Sequence, residues 1–392
     1  MRAPDLDRIL SAMLHTYDGI SDLNFTVGHP VQVEDFGELK PVFVDPPIER
    51  LTPYQTEQIA LALMQGNRRL LRDYLLEGSC DCSYALSDEA RFRVNIFRQQ
   101  GHFSIVMRKL QAIIPTLESL HLPSVFSEIA REKNGLVLVT GATGSGKTTT
   151  LAAILNEINQ TQSVHVVTLE DPIEFVHPAG RATFNQRELG HDFDNYPNGL
   201  RAALRQAPKV IFVGEMRDRA TVEVALMAAE TGHLVFSTLH TVDAGQSINR
   251  ILGLFSLGEE QQLRLRLADT LRFVVSQRLA PKAGGGRQLL TEIMGHNLRT
   301  RESIALGESE NRSFYEIIEA SAAFGWTTFD QSVLSAYEAG LISDDTARLF
   351  ASKRGRVTRG IDLLQKMRGI DDDHDTGLRL DLSAGGVVRR KA

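Results

Sequence analysis

The run Gly141-Ala142-Thr143-Gly144-Ser145-Gly146-Lys147-Thr148 matches G-x-x-x-x-G-K-[ST] in full, and each residue type has a chemical reason. Glycines carry no Cβ, so backbone N–H groups can wrap a polyphosphate closely. Lys147 supplies a compact cation for β- and γ-phosphates, and Thr148 offers its hydroxyl to Mg²⁺. Thr143, Gly144, Ser145, Gly146 and Thr149 complete the set expected around the phosphates. An ordinary glycine turn does not need Lys followed by Thr at that offset.

Such a loop works only between a strand and a helix. The preceding residues, Gly135-Leu136-Val137-Leu138-Val139-Thr140, are apolar and β-branched, as in a buried parallel strand. The following Thr149–Leu155 opens a helix whose positive end faces the anion. Between residues 134 and 282 the rhythm repeats, with strands predicted at Val137–Thr140, Val164–Leu169, Val210–Val213 and Leu234–Thr238. Strands alternating with helices predict an α/β fold, a parallel sheet covered on both faces. Active loops then sit at the carboxyl ends of the strands.

Three further constellations occupy predicted strand ends. Glu170, Asp171 and Glu174 crowd three carboxylates into Glu170-Asp171-Pro172-Ile173-Glu174, an arrangement that calls for a cation among them. Val210-Ile211-Phe212-Val213-Gly214-Glu215 resembles a Walker B strand, but Gly214 replaces the usual acidic residue before the glutamate. Glu215 remains to orient or deprotonate a water, while Mg²⁺ relies on Thr148, water and the 170–174 carboxylates. His233 and His240 bracket the strand at 234–238, too far apart for both to touch one reacting centre. His240, at the carboxyl end, is the better γ-phosphate sensor; His233 is structural or contacts a neighbouring subunit.

Upstream, residues 1–110 read as a small α+β domain. A helix is expected over Leu6–Tyr17, a strand over Asp22–Val27, and a helical stretch over Leu51–Leu76 beginning at Thr52-Pro53. Residues 90–97 and 102–108 flank Gly101 as a hairpin, with Phe92, Val94 and Ile96 on one face and Arg91, Arg93 and Asn95 on the other. Residues 111–133 form a connector, Gly284-Gly285-Gly286 marks a turn, and residues 295–366 are mostly helical in pattern. The segment 367–392, polar and with an Asp371-Asp372-Asp373 run, is expected to be disordered.

Composition narrows the classes. The chain has 392 residues, 42% hydrophobic and 23% charged, as globular proteins do. No apolar run reaches membrane-span length and the first residues lack a signal-peptide core, so a cytoplasmic protein without membrane insertion is expected. The net charge of −6 and the single Trp argue against direct nucleic-acid binding and a translocase. Cys80 and Cys82 are the only cysteines, too few for a tetrahedral zinc site.

Taken together, SDLNFTVGHP, RFRVNIF, GLVLVTGATGSGKTTTLAAILNEIN, TLEDPIEFVH, NQRELG, VIFVGEMRD, AAETGHLVFSTLHT and FDQSVLSAYEAGLIS resemble the secretion-type hexameric ATPase superfamily. More narrowly they resemble its type IV pilus retraction ATPases. The resemblance spans about residues 20–350. It implies a PAS-like domain (1–110) before a RecA-like P-loop ATPase domain (134–366), a homohexameric ring, and ATP with Mg²⁺ bound at subunit interfaces. It also implies an inner-membrane platform protein as partner, with the ring peripheral to that membrane. By the same resemblance Glu215 is the catalytic glutamate, Glu170 belongs to the acidic box, and His233 and His240 form the histidine box. Arg93 and Arg108, with Arg91 behind them, are the candidates from the N-terminal domain to reach ATP; a planar cationic fork suits phosphate charge. Two stretches depart from the retraction pattern: Gln206-Ala207-Pro208-Lys209 lacks the acidic residues expected there, and Leu298–Ile304 replaces an Ala-Ile-Arg-Asn-Leu-Ile motif. An assembly or secretion ATPase is the nearest alternative, but such chains usually carry an extra N-terminal domain and a four-cysteine zinc module. A scaffold that binds ATP without hydrolysing it does not need Glu215.

Overall fold

A computed structural model describes residues 3–87, 89–110, 113–309 and 312–368. The chain divides into two compact units, one of Met1–Arg278 with Thr291–Thr328, the other of Leu279–Leu290 with the chain from Phe329.

The first unit begins with α1 (Ala3–Leu14), β1 (Ile20–Phe25), β2 (Gln32–Asp35), β3 (Glu38–Pro41), α2 (Pro53–Met64), α3 (Arg68–Glu77), β4 (Ser79–Leu86), β5 (Ala90–Gln99) and β6 (His102–Lys109). These six strands form one antiparallel sheet in the order β3-β2-β1-β6-β5-β4. Alternation decides its faces. Phe92, Val94 and Ile96 of β5 and Cys80, Cys82 and Tyr84 of β4 turn inward onto Leu10, Ile59, Leu63 and Tyr74 of the helices. Burial pushes the Cys80 thiol up to about 11 and the Cys82 thiol up to about 12. Arg91, Arg93 and Asn95 occupy the opposite face. The helical stretch expected over 51–76 is two helices. Thr52 opens α2 with a capping box, then Gln65 (φ 51°) and Gly66 (φ 74°) enter the left-handed region and Asn67 caps α3 afresh.

After α4 (Val125–Arg131) the second sheet follows: β7 (Gly135–Thr140), α5 (Lys147–Thr161), β8 (His165–Glu170), β9 (Thr183–Glu188), α6 (Tyr196–Ala203), β10 (Val210–Val213), α7 (Arg219–Glu230), β11 (Leu234–Leu239), α8 (Ala244–Leu252), α9 (Glu260–Thr270), β12 (Leu271–Pro281) and β13 (Arg287–Met294). Helices α10 (Leu298–Leu306) and α11 (Phe314–Glu319) complete the unit. Strand order is β13-β12-β7-β11-β10-β8-β9, and every pairing from β12 to β9 is parallel. Successive residues of each central strand serve opposite layers. Leu136, Leu138, Ile211, Val213 and Val235 pack with α7, α8 and α9, whereas Val137, Val139, Val166, Phe212 and Phe236 pack with α4 and α5. The protein thus has the α/β class expected, with a parallel sheet covered on both faces after a small antiparallel α+β layer. The carboxyl ends of β7, β11, β10 and β8, adjacent in the sheet, carry the four constellations singled out above.

The second unit packs α12 (Phe329–Glu338), α13 (Asp344–Phe350) and α14 (Arg354–Met367) around Ala280, Leu290, Phe329, Val333, Ile342, Val357 and Ile361. Asp330 accepts from the backbone N–H groups of Ser352 and Lys353, at 2.7 and 3.0 Å, and fixes the start of α14. The expectation of disorder for the final segment falls, from residue 369 on, outside the described residues. Among those described, no helix is long and apolar enough to cross a membrane.

Candidate nucleotide site

Helices α6, α7 and α8 open on side-chain caps, Asn195, Asp218 and Asp243. Helix α5 opens on Gly146 (φ 90°) with no side-chain cap bond, which leaves its first N–H groups for an outside acceptor. The loop before it has no room for side chains at one key point. A Cβ on Gly141 would lie 2.5 Å from Ser145 Oγ and 2.6 Å from the Gln277 carbonyl. Ser145 Oγ itself is buried without a partner. Lys147 Nζ donates to the carbonyls of Gly141 (2.8 Å) and Ala142 (3.1 Å). Burial lowers the Lys147 pKa, while the charges of Glu215 and Glu174 act to raise it. An uncapped helix start, an orphaned hydroxyl and a partly buried ammonium are the features a phosphate chain would satisfy.

The acidic loop after β8 distributes its carboxylates unequally. Glu170 is buried, accepting from the Thr168 hydroxyl (2.7 Å) and Gln186 Nε2 (3.1 Å), and burial pushes its pKa up to about 7. Glu174 is the group that meets the phosphate loop: the Thr148 hydroxyl hydrogen-bonds it and Lys147 lies near. Burial raises the pKa of Glu174 and of Asp171, and in both cases the charge of Arg93 opposes the shift. A hydroxyl with a carboxylate behind it is a hard-oxygen set, which fits Mg²⁺ that keeps most of its waters. Among the described residues no cluster of three or more His, Cys, Asp or Glu side chains could hold a metal alone.

Glu215 follows β10 with its side chain 13% exposed. Its carboxylate meets the Arg217 guanidinium on one oxygen and His240 Nε2, at 3.4 Å, on the other. Thr238 Oγ1 donates to the Gly214 carbonyl at 2.6 Å and the Met216 N–H returns to the Thr238 carbonyl, so β11 fixes the turn carrying Glu215. Gly214 also has a steric reason. A Cβ there would lie 3.0 Å from the Tyr196 hydroxyl and 3.2 Å from the Leu169 carbonyl. His233 sits at the other end of β11, its Nδ1 3.0 Å from the Ala228 carbonyl at the close of α7.

The two arginine candidates are cross-strand partners, since β5 and β6 pair Arg93 with Arg108. Their surroundings differ. Arg93 faces Asp171 and Glu174 electrostatically. Arg108 Nε is 3.0 Å from Asp22, across the β1–β6 pairing, and the side chain is 71% exposed. Arg91, two residues before Arg93, lies 3.7 Å from Glu188 Oε2.

Sequence reasoning did not single out Arg217, Gln186 or Glu188. Arg217 stands inside the quoted GEMRD run, two residues from Glu215, and that spacing was its available signal. Gln186 and Glu188 lie on β9, whose polar spelling Thr183-Phe184-Asn185-Gln186-Arg187-Glu188 hides an edge strand. Their side chains alternate onto one face and hold the acidic loop. Gln186 accepts from His177 N–H (2.8 Å) and donates to the Phe175 carbonyl (2.8 Å), and Glu188 Oε2 accepts from Ile173 N–H (3.2 Å).

Residues 81–319 match the family model of the type II/IV secretion system protein. The chain is 39% identical over 330 residues to the type IV pilus retractation ATPase PilT of Pseudomonas aeruginosa, covering 84% of this chain and 94% of that protein. It is 34% identical over 380 residues to the type IV pilus ATPase PilU of the same organism, covering 97% and 96%. Among solved structures it superposes on the pilus retraction motor PilT with bound ADP at a TM-score of 0.78 and 40% identity, over 90% of this chain and 98% of that one.

Proposed function

This chain belongs to the type II/IV secretion system protein family of ATPases, and from that premise we propose that it is the ATP-hydrolysing motor of type IV pilus retraction. Six copies form a ring in the cytoplasm, docked on an inner-membrane platform protein. Within each copy, residues 1–110 and 134–366 are the two working domains, joined by the connector 111–133. The observation that carries the reading is the convergence of Lys147, Thr148, Glu174 and Glu215 at the carboxyl end of one parallel sheet, beside a helix that opens uncapped.

ATP is held by the 141–149 backbone and by Lys147, which exchanges its two carbonyl partners for phosphate oxygens. Thr148, oriented by Glu174, is the residue that would hold Mg²⁺, and the cation would neutralise charge on the triphosphate. Glu215 orients a water in line with the γ-phosphorus and accepts its proton as the new P–O bond forms and the bond to the ADP oxygen breaks. His240 and Arg217 hold that carboxylate in place. Arg93 brings cationic charge from the N-terminal sheet. Hydrolysis and product release reopen the contact between sheet and ATPase domain, and the opening travels round the ring to remove pilin from the fibre base.

The test is to count surface pili in a deletion strain complemented with wild type or with Glu215→Gln. Excess pili reduced by wild type alone is the expected result. Bald cells would instead identify an assembly motor, and an unchanged count an accessory motor or a different secretion machine.

A further inference from the structure

Glu188 ends β9, away from the phosphate loop, yet its carboxylate is buried, 6% exposed, and has three neighbours. Oε2 accepts from the Ile173 N–H at 3.2 Å, in the middle of the acidic loop. The same oxygen faces the Arg91 guanidinium at 3.7 Å, and Oε1 lies 3.9 Å from His191 Nε2. The backbone around it is tied on both sides. Glu188 N–H donates to Asp192 and Leu189 N–H to the Glu170 carbonyl, each at 2.8 Å. From α3, Asn67 Nδ2 donates to the Gly190 carbonyl at 3.2 Å. Gly190 sits in the left-handed region (φ 84°), with the Arg69 guanidinium packed where a Cβ would project.

Arg91 and Arg93 alternate onto one face of β5. Glu174 follows Ile173 directly in the chain. One carboxylate oxygen therefore joins the strand that carries Arg93 to the loop that carries Glu174. We propose that Glu188 is a positioning residue: through Arg91 and Ile173 it sets the N-terminal sheet and the acidic loop in register, so that Arg93 and Glu174 reach the nucleotide site together. The inference rests on the ATPase reading above. Burial alone obliges this carboxylate to find a partner, but not to find one on each of two separate elements, the β5 arginine and the acidic-loop amide.

The experiment uses the full-length protein with Arg91→Ala, Glu188→Ala, the double variant and Glu188→Gln, which keeps an acceptor for Ile173 N–H. Turnover is measured per folded protein, nucleotide binding in EDTA, and deuterium uptake in the peptide spanning 171–176. Glu188→Ala is expected to lower kcat about tenfold or more, and Arg91→Ala several-fold, as partners behind a directly acting group do. Both speed exchange at 171–176, although Arg91 lies on another sheet, and both leave binding in EDTA within about twofold, since no phosphate contact of the glycine loop is removed. The double variant is no worse than Glu188→Ala, because both changes cut one path. Glu188→Gln falls between wild type and Glu188→Ala. Unchanged exchange and unchanged kcat in Arg91→Ala, or losses that multiply in the double, would overturn the proposal. If Glu188→Ala does not fold, Arg91→Ala and Glu188→Gln decide by the same readouts. A wild-type protein that binds ATP without hydrolysing it would refute the ATPase reading instead.

Discussion

At the scale of the residue, two charged groups around the phosphate loop should separate binding from turnover. Lys147 is drawn toward the neutral form by burial and back by Glu215 and Glu174, so it suits a site where an anion arrives. Lys147→Ala is expected to abolish ATP binding measured by a fluorescent analogue; equal affinity in variant and wild type would remove it from the site. Glu215→Gln keeps shape and His240 contact but loses the base, so binding persists while turnover falls about a hundredfold or more. Glu170 gives a stability prediction with a definite sign. Its folded pKa of about 7 lies above the usual carboxylate value of 4.5. The folded state therefore holds this proton more tightly, and stability is full below pH 4.5 and declines as pH rises to 7. Glu170→Gln retains Oε1 for Thr168 and Gln186 but never ionises. Urea unfolding of the nucleotide-free variant should show a gain of about 1–3 kcal/mol at pH 8 that vanishes at pH 4.5. An equal gain at both pH values would mean that ionisation is not the cause.

Among the elements, legibility followed periodicity. Strands β7, β8, β10 and β11 were readable because they are short, apolar and buried on both faces, and the hairpin β5–β6 because β5 alternates strictly and Gly101 marks the turn. The edge strand β9 was not, since a polar strand has no hydrophobic period to detect. The same hidden strand holds the acidic loop, so the support of the candidate site was the less legible part. The identity of the key carboxylates was visible as a group, but their division of labour depends on side-chain direction across β8 and β9. Glu170 turns to Thr168 and Gln186 and Glu174 to Thr148, which no spacing rule specifies. Gly214, legible only as a departure from Walker B, has a packing reason in three dimensions. Gly214→Ala should cost about 1–3 kcal/mol by overpacking against Tyr196 and the Leu169 carbonyl, and Tyr196→Phe should restore part of it. Urea melts of the single and double variants measure this; no recovery in the double would assign the strain to the Leu169 carbonyl alone.

For the whole molecule, the pairing of Arg93 with Arg108 gives a test of which copy each serves in the proposed ring. Arg93 has carboxylates of its own chain before it, whereas Arg108 is held by Asp22 and largely exposed. Arg108 is therefore expected to act on the neighbour's nucleotide. Mixing inactive Arg108→Ala and Lys147→Ala subunits should create interfaces with both groups intact, and turnover that neither parent has. A mixture as inactive as its parents would place Arg108 on its own chain's site, and an Arg108→Ala parent that turns over ATP like wild type would put Arg108 outside the reaction. Motion round such a ring is best followed with dyes, and the interior of the antiparallel sheet has a bearing on that. Its two thiols, inward-facing and some two to three pH units harder to ionise than an ordinary cysteine, have very little thiolate to offer a maleimide at neutral pH. Both are also buried, so one cysteine substituted at an exposed position is expected to take a fluorophore or spin label selectively, with neither native cysteine replaced.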